Sequence, residues 1–205
     1  MPLAISDSMG IGAPAPEYIT GRKYRSHLYN TNTTAFALTT TATRLYYAPI
    51  YIHRAHTFTA MNMYNTDAGD NGEKFRLGLY NHSATNGPGS LVVDMGEITL
   101  TGAAAERSVV ASCAVTRPGW YWTACHCDSA SAVLSMVGIG SIKSDVGYKS
   151  HEPYNSLFGA FGVVDEATLT VPGSPYVDTA YAVLASTAVA PTAMVFAPPQ
   201  VMLVA

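Results

Sequence analysis

Lys74-Phe75-Arg76-Leu77-Gly78-Leu79-Tyr80-Asn81-His82 alternates apolar and polar or small residues with a period of two. That period marks a half-buried strand. Working outward, Asn86-Gly87-Pro88-Gly89 is a turn cluster, after which Leu91, Val93 and Met95 resume the alternation. Ile98 and Leu100 continue it beyond Gly96, and Val109, Ala111, Cys113 and Val115 give a further strand. Arg117-Pro118-Gly119 then turns the chain into Trp120-Tyr121-Trp122. Short strands separated by turn signals predict an all-β, antiparallel β-sandwich of jelly-roll type. The expected interior is Phe75, Leu77, Leu79, Leu91, Val93, Val109, Ala111 and Val115.

A chain of 205 residues has room for one large β domain with its own core. Residues 1–20 hold Gly10, Gly12, Pro14 and Pro16 without period, and read as an arm or linker. Residues 21–205 read as the single domain. The net charge of −3 and pI near 6.0 give no basic footprint for nucleic acid. Charged residues make up only 12%, against about 25% in ordinary domains. Thr, Ser, Asn, Ala and Tyr take their place, which predicts a surface covered by neighbours or built for uncharged contacts. Met1 to Asp7 carries no basic segment followed by an apolar run, and no stretch reaches the ~18 apolar residues of a membrane helix. The expectation is folding in a reducing cytoplasm, with Cys113, Cys125 and Cys127 free.

Elsewhere the chain is read as follows. Tyr18 to Tyr29 offers a first short strand, and a Thr-rich segment runs from Asn30 to Thr43. Leu45 to His53 and Thr57 to Tyr64 are strands, with Pro49 marking an edge or a bulge. Asn65 to Lys74 reads as a turn. Ala132 to Val137, Thr179 to Leu184 and Met194 to Ala197 are strand candidates, as are Val163-Val164 and Leu169 to Val171. Gly138 to Phe158 reads as a long loop. The last stretch, Val201 to Ala205, is apolar throughout, so it needs cover on both faces.

The chain resembles a known family in these segments. The R-x-G-x-Y strand, the Pro88-Gly89-Ser90-Leu91 hairpin, Asp94-Met95-Gly96 and Pro118-Gly119-Trp120-Tyr121-Trp122 resemble the β-sandwich module of tail-fibre and other appendage proteins of tailed bacteriophages. Gly21 to Tyr24 and Arg44 to Ile50 fit the same pattern, and the resemblance spans roughly residues 20–130. It implies a structural virion protein, made in the host cytoplasm: a tail-fibre or capsid-fibre subunit that docks on other virion proteins and touches the host surface, glycan above all. It also implies a homo-oligomer, with three copies the expected number. A capsid decoration protein without ligand is the alternative, and a carbohydrate-active enzyme a more distant one.

Motifs of chemistry are sparse. Cys125-His126-Cys127 places two thiols on one strand face, but a second ligand pair is missing, so core packing is the expectation and no metal or cofactor is assigned. Asp67, Asp70, Asn71 and Glu73 lack calcium-loop spacing. Neither G-x-S-x-G nor G-K-[ST] occurs, so no catalytic residue is assigned. The only clustered carboxylates of the irregular region are Asp145, Glu152, Asp165 and Glu166, read as solvated loop charges. Trp120, Tyr121 and Trp122 are expected in the core. Tyr148, His151, Tyr154, Asn155 and Tyr176 are the ligand-binding candidates, because loops on a rigid scaffold carry most binding sites.

Overall fold

The computed structural model describes residues 17–25, 37–39, 42–65, 71–85, 87–128, 133–135, 174–191, 193–195 and 201–205. Its strands are β1 (Lys23–Arg25), β2 (Ala37–Thr39), β3 (Arg44–Ile52), β4 (His56–Asn65), β5 (Asn71–His82), β6 (Pro88–Thr101), β7 (Ala105–Val115), β8 (Gly119–Cys127), β9 (Val133–Ser135), β10 (Ser174–Asp178), β11 (Ala193–Val195) and β12 (Met202–Val204). Among the described residues there is no helix.

Pairing is nested. β5 pairs β6, β4 pairs β7, β3 pairs β8 and β1 pairs β12, all antiparallel. That is one long hairpin folded over on itself. β12 also pairs β4, and β8 also pairs β5, which closes two four-strand sheets, β1-β12-β4-β7 and β3-β8-β5-β6. Nested pairing of eight strands into two sheets is a jelly roll. β10 and β11 extend the second sheet beyond β3, and β2 with β9 extends the first at the Asn65 end of β4.

The period-two pattern explains the core. Phe58, Met61 and Met63 of β4 face Phe75, Leu77 and Leu79 of β5, with Cys113, Val115, Tyr121, Cys125, Cys127 and Leu203 around them. Each such side chain contributes about 1.5–3 kcal/mol on burial. The expected interior holds for Phe75, Leu77, Leu79 and Val115. Val93, Val109 and Ala111 pack against it half-buried. Leu91 does not belong there. Leu79 pairs with Val93 but Tyr80 with Leu91, so Val92 is one residue too many. The bulge turns Leu91 to the outer face beside Tyr80.

That outer face is covered by the chain itself. Residues 179–191 cross β3, β8, β5 and β6 and build a second core from Leu45, Tyr47, Tyr80, Trp122, Ala124, Val177 and Leu184. Tyr80 Oη donates to the Ala185 carbonyl at 3.0 Å, and Leu91 N donates to Ser186 O at 2.8 Å. Only an isolated bridge, Ser90 to Thr187, gives this segment ladder character. The strand expected over Thr179 to Leu184 is therefore a strap, held by side chains and scattered backbone bonds rather than by a ladder.

Other expectations shift at the edges. β5 begins at Asn71, inside the expected turn. Pro49 lies where β10 no longer flanks β3, since that pairing runs only from Arg44 to Tyr46. It thus occupies an edge stretch, where a missing N–H costs little. The apolar C-terminal strand is internal: β12 sits between β1 and β4, with Leu203 fully buried. The segments around Val163, Leu169 and 138–158 lie outside the described residues.

Candidate functional site

The ligand candidates named from sequence divide in two. Tyr148, His151, Tyr154 and Asn155 lie outside the described residues, as do Asp145, Glu152, Asp165 and Glu166. Tyr176, taken for a loop residue, is in β10, opposite Tyr46 of β3 and Ala193 of β11. Pro175 before it obscured the strand in the sequence, and β11 supplies the pairing partner from nearly 20 residues downstream.

Jelly-roll topology sorts the connections by end. β3 to β4, β5 to β6 and β7 to β8 are joined at one end by residues 53–55, 83–87 and 116–118. The segment before β1 sits at this same end. Tyr18 packs on Tyr24, His53, His56 and Phe58 with ring centroids 4.3–5.1 Å apart, and its hydroxyl accepts from His53 N at 3.3 Å. Glu17 pairs with Arg54 at 3.2 Å, and Gly21 N donates to the Ala205 carbonyl at 2.6 Å. At the opposite end β1, β4 and β8 run out at Arg25, Asn65 and Cys127, and β5 begins at Asn71. Lys74 N donating to Asp128 Oδ1 at 2.6 Å, and β9 at Asn65, tie that end together.

Beyond the reach of the strap, the outer face of β3, β8 and β5 ends in a row of rings. Tyr51, 39% exposed, meets half-buried Trp120 edge-to-face at 5.1 Å. His82 is exposed and lies 7° from coplanar with Trp122, whose Nε1 donates to His82 Nδ1 at 3.0 Å. That bond leaves Nε2 to carry the proton of the neutral imidazole, as a donor. Flat rings beside one directed donor suit the apolar face and a hydroxyl of a sugar ring. Sequence reading placed Trp120 to Trp122 together in the core, and Tyr121 and Trp122 are buried. Trp120 is only half-buried because it opens β8 just past the end of the strap. The missed signal was Tyr51, one alternation beyond Pro49 and on the same strand face. Around the corner, between β6 and β7, Asn81, Val92, Ala114, Thr116, Arg117 and Tyr121 line an open cleft of about 380 Å³.

Charged groups gather under the strap and serve it. Arg76 pairs with Asp94 at 3.0 Å, and Asp94 Oδ2 accepts from Leu184 N at 3.1 Å. Tyr181 donates to Glu97 at 3.0 Å, and Lys74 beside Glu97 holds its carboxyl below the usual range. Burial pushes the His126 imidazole down, with its Nε2 against the Thr179 carbonyl at 3.2 Å. All three cysteines are buried, Cys125 and Cys127 on the core face as their spacing predicts. Among the described residues no three His, Cys, Asp or Glu side chains converge on one point.

The fold defines the chain as a two-sheet jelly roll with a strapped outer face and an arm packed on one end. No protein-family model, no curated protein and no solved structure matches it.

Proposed function

We propose that this chain is a structural, non-catalytic subunit of a tailed-bacteriophage virion: an appendage that docks on other virion proteins and contacts the host surface. One observation carries the reading. Glu17 and Tyr18 pack beside β12 and the 53–55 turn at one end of the jelly roll, while β1, β4 and β8 run out at the other, at Arg25, Asn65 and Cys127. Such a body attaches at one end and presents connections at the other. The scarcity of charge, 12% of residues, supports a surface meant for contact within an assembly. Tyr148, His151, Tyr154 and Asn155, between β9 and β10 in sequence, are the residues proposed to make the host contact. An antibody raised against the purified chain should decorate the tail or the capsid surface of particles from its source in electron micrographs. Particles that carry none of the chain would overturn the reading.

The ring row supports a second placement of the host contact. Tyr51, Trp120 and His82 form a surface suited to stacking on pyranose rings. Glycan-array binding that survives in Tyr51→Ala/Trp120→Ala would return the contact to the connection end.

A further inference from the structure

Tyr18 of the arm is the centre of a ring cluster at one end of the sandwich. His53 and His56 lie 4.3 and 4.8 Å from it, Tyr24 and Phe58 4.6 and 5.1 Å. Phe58 also meets His56 edge-to-face at 4.9 Å. Backbone bonds hold the segment that carries Tyr18. Gly21 N donates to the Ala205 carbonyl, and Ala205 N donates to the Arg22 carbonyl at 3.0 Å.

One nitrogen in this cluster has nothing to bond. His56 is half-buried, but its Nε2 is closed off from solvent and has no hydrogen-bond partner among the described residues. A neutral imidazole tolerates this, with its proton on Nδ1 and Nε2 a bare acceptor. An imidazolium does not. It carries an N–H on both nitrogens, and a buried charged donor without an acceptor is costly. Ring faces attract a cation weakly and do not replace an acceptor. The groups around His56 offer no compensation. Arg54 repels a second positive charge, and the Glu17 carboxylate is engaged by Arg54 at 3.2 Å. Burial raises the Tyr18 hydroxyl, which therefore stays neutral. Tyr24 brings a phenol, His53 a second imidazole, and β7 sets Val115 opposite His56. Burial first and Arg54 second hold the His56 imidazole below its ordinary 6.5.

We propose that His56 is an acid-sensitive latch: when its Nε2 takes a proton, Tyr18 and the segment from Glu17 to Arg22 lift off the end of the sandwich. Lifting opens Nε2 to water, which accepts the bond that the closed cluster withholds. One proton is taken up from solvent for each arm released. The closed arm is therefore fully favoured above pH 6.5 and loses that preference as pH falls through the lower native value. A single linked proton moves the balance by at most about tenfold per pH unit. The inference stands without the virion reading.

The test is amide hydrogen exchange on the purified full chain between about pH 8 and 5, corrected for the intrinsic rate at each pH. Protection of Gly21 and Ala205 should be level at the upper end and fall several-fold below pH 6.5. Leu77 and Leu79 in β5 should keep theirs. In His56→Phe the arm should stay protected throughout. Wild-type arm protection that ignores pH, an equal fall in His56→Phe, or a parallel fall in β5 overturns the inference. A second measurement serves if His56→Phe does not fold. The His56 ring resonance should titrate below 6.5 in the wild type and move up towards 6.5 in Tyr18→Ala, whose arm no longer covers the ring. A wild-type midpoint at or above 6.5, or one that Tyr18→Ala leaves unchanged, overturns the inference as well.

Discussion

Gly78 shows how one residue sets the distance between layers. A Cβ there would lie 2.2 Å from Leu184 Cδ1 and 2.8 Å from the Val93 carbonyl oxygen. The first contact is the end of a side chain and can move. The second is backbone and cannot move without disturbing the β5–β6 ladder. Gly78→Ala should therefore cost about 1–3 kcal/mol, the usual range for overpacking, read as a lowered urea midpoint with unchanged m-value. The cysteines give a second check at this scale. Burial raises the Cys113 thiol to about 12 and lifts Cys127, beside Cys125, well above its ordinary value. Thiolate is the reactive form, so at pH 8 a thiol reagent should titrate no cysteine in the native chain and all three after denaturation.

At the scale of elements, the strap is the part least like a strand and most dependent on side chains. Its anchor is Leu184, buried against Tyr80, Trp122 and Gly78. Leu184→Ala leaves a cavity over the outer face, and such truncations cost about 2–5 kcal/mol. The variant should unfold at lower denaturant concentration and show red-shifted tryptophan fluorescence, because Trp122 loses part of its cover. An unshifted spectrum with wild-type stability would mean that Tyr47, Tyr80 and Asp94 hold the strap without Leu184. The arm is held differently. Glu17–Arg54 is largely exposed and such pairs contribute under about 1 kcal/mol. The Tyr18 rings supply the rest of the grip.

For the whole molecule, buried acids set the response to alkali. Cys113 moves from 9.0 to about 12 and Tyr80 from 10.0 to about 12 by burial, the latter also beside Asp94. Tyr47 and Tyr181 are raised as well, chiefly by burial. Each native group keeps its proton after the unfolded chain has lost it. Their contribution is complete below pH 9 and disappears as pH rises towards 12. The urea midpoint should be level from pH 7 to 9 and then fall steadily. Tyr80→Phe, which loses the bond to Ala185, should start about 1 kcal/mol lower and fall less steeply above pH 10.

Alternation in Phe75 to Tyr80, the turn at Asn86 to Gly89 and the aromatic start of β8 determined the β-sandwich, because a side-chain period of two is a local property of the chain. The core positions Phe75, Leu77, Leu79 and Val115 followed for the same reason. Leu91 did not, since a bulge depends on the partner strand and is not written in one strand's pattern. The strap was illegible too: Tyr181, Leu184 and Ala188 gain their meaning only from Glu97, Gly78 and Gly89, roughly 85 to 105 residues earlier. Tyr51, Trp120 and His82 stand on three strands and meet only through pairing. Sequence settled which faces are apolar; the nested tertiary pairing decided which of those faces the strap of residues 179–191 covers.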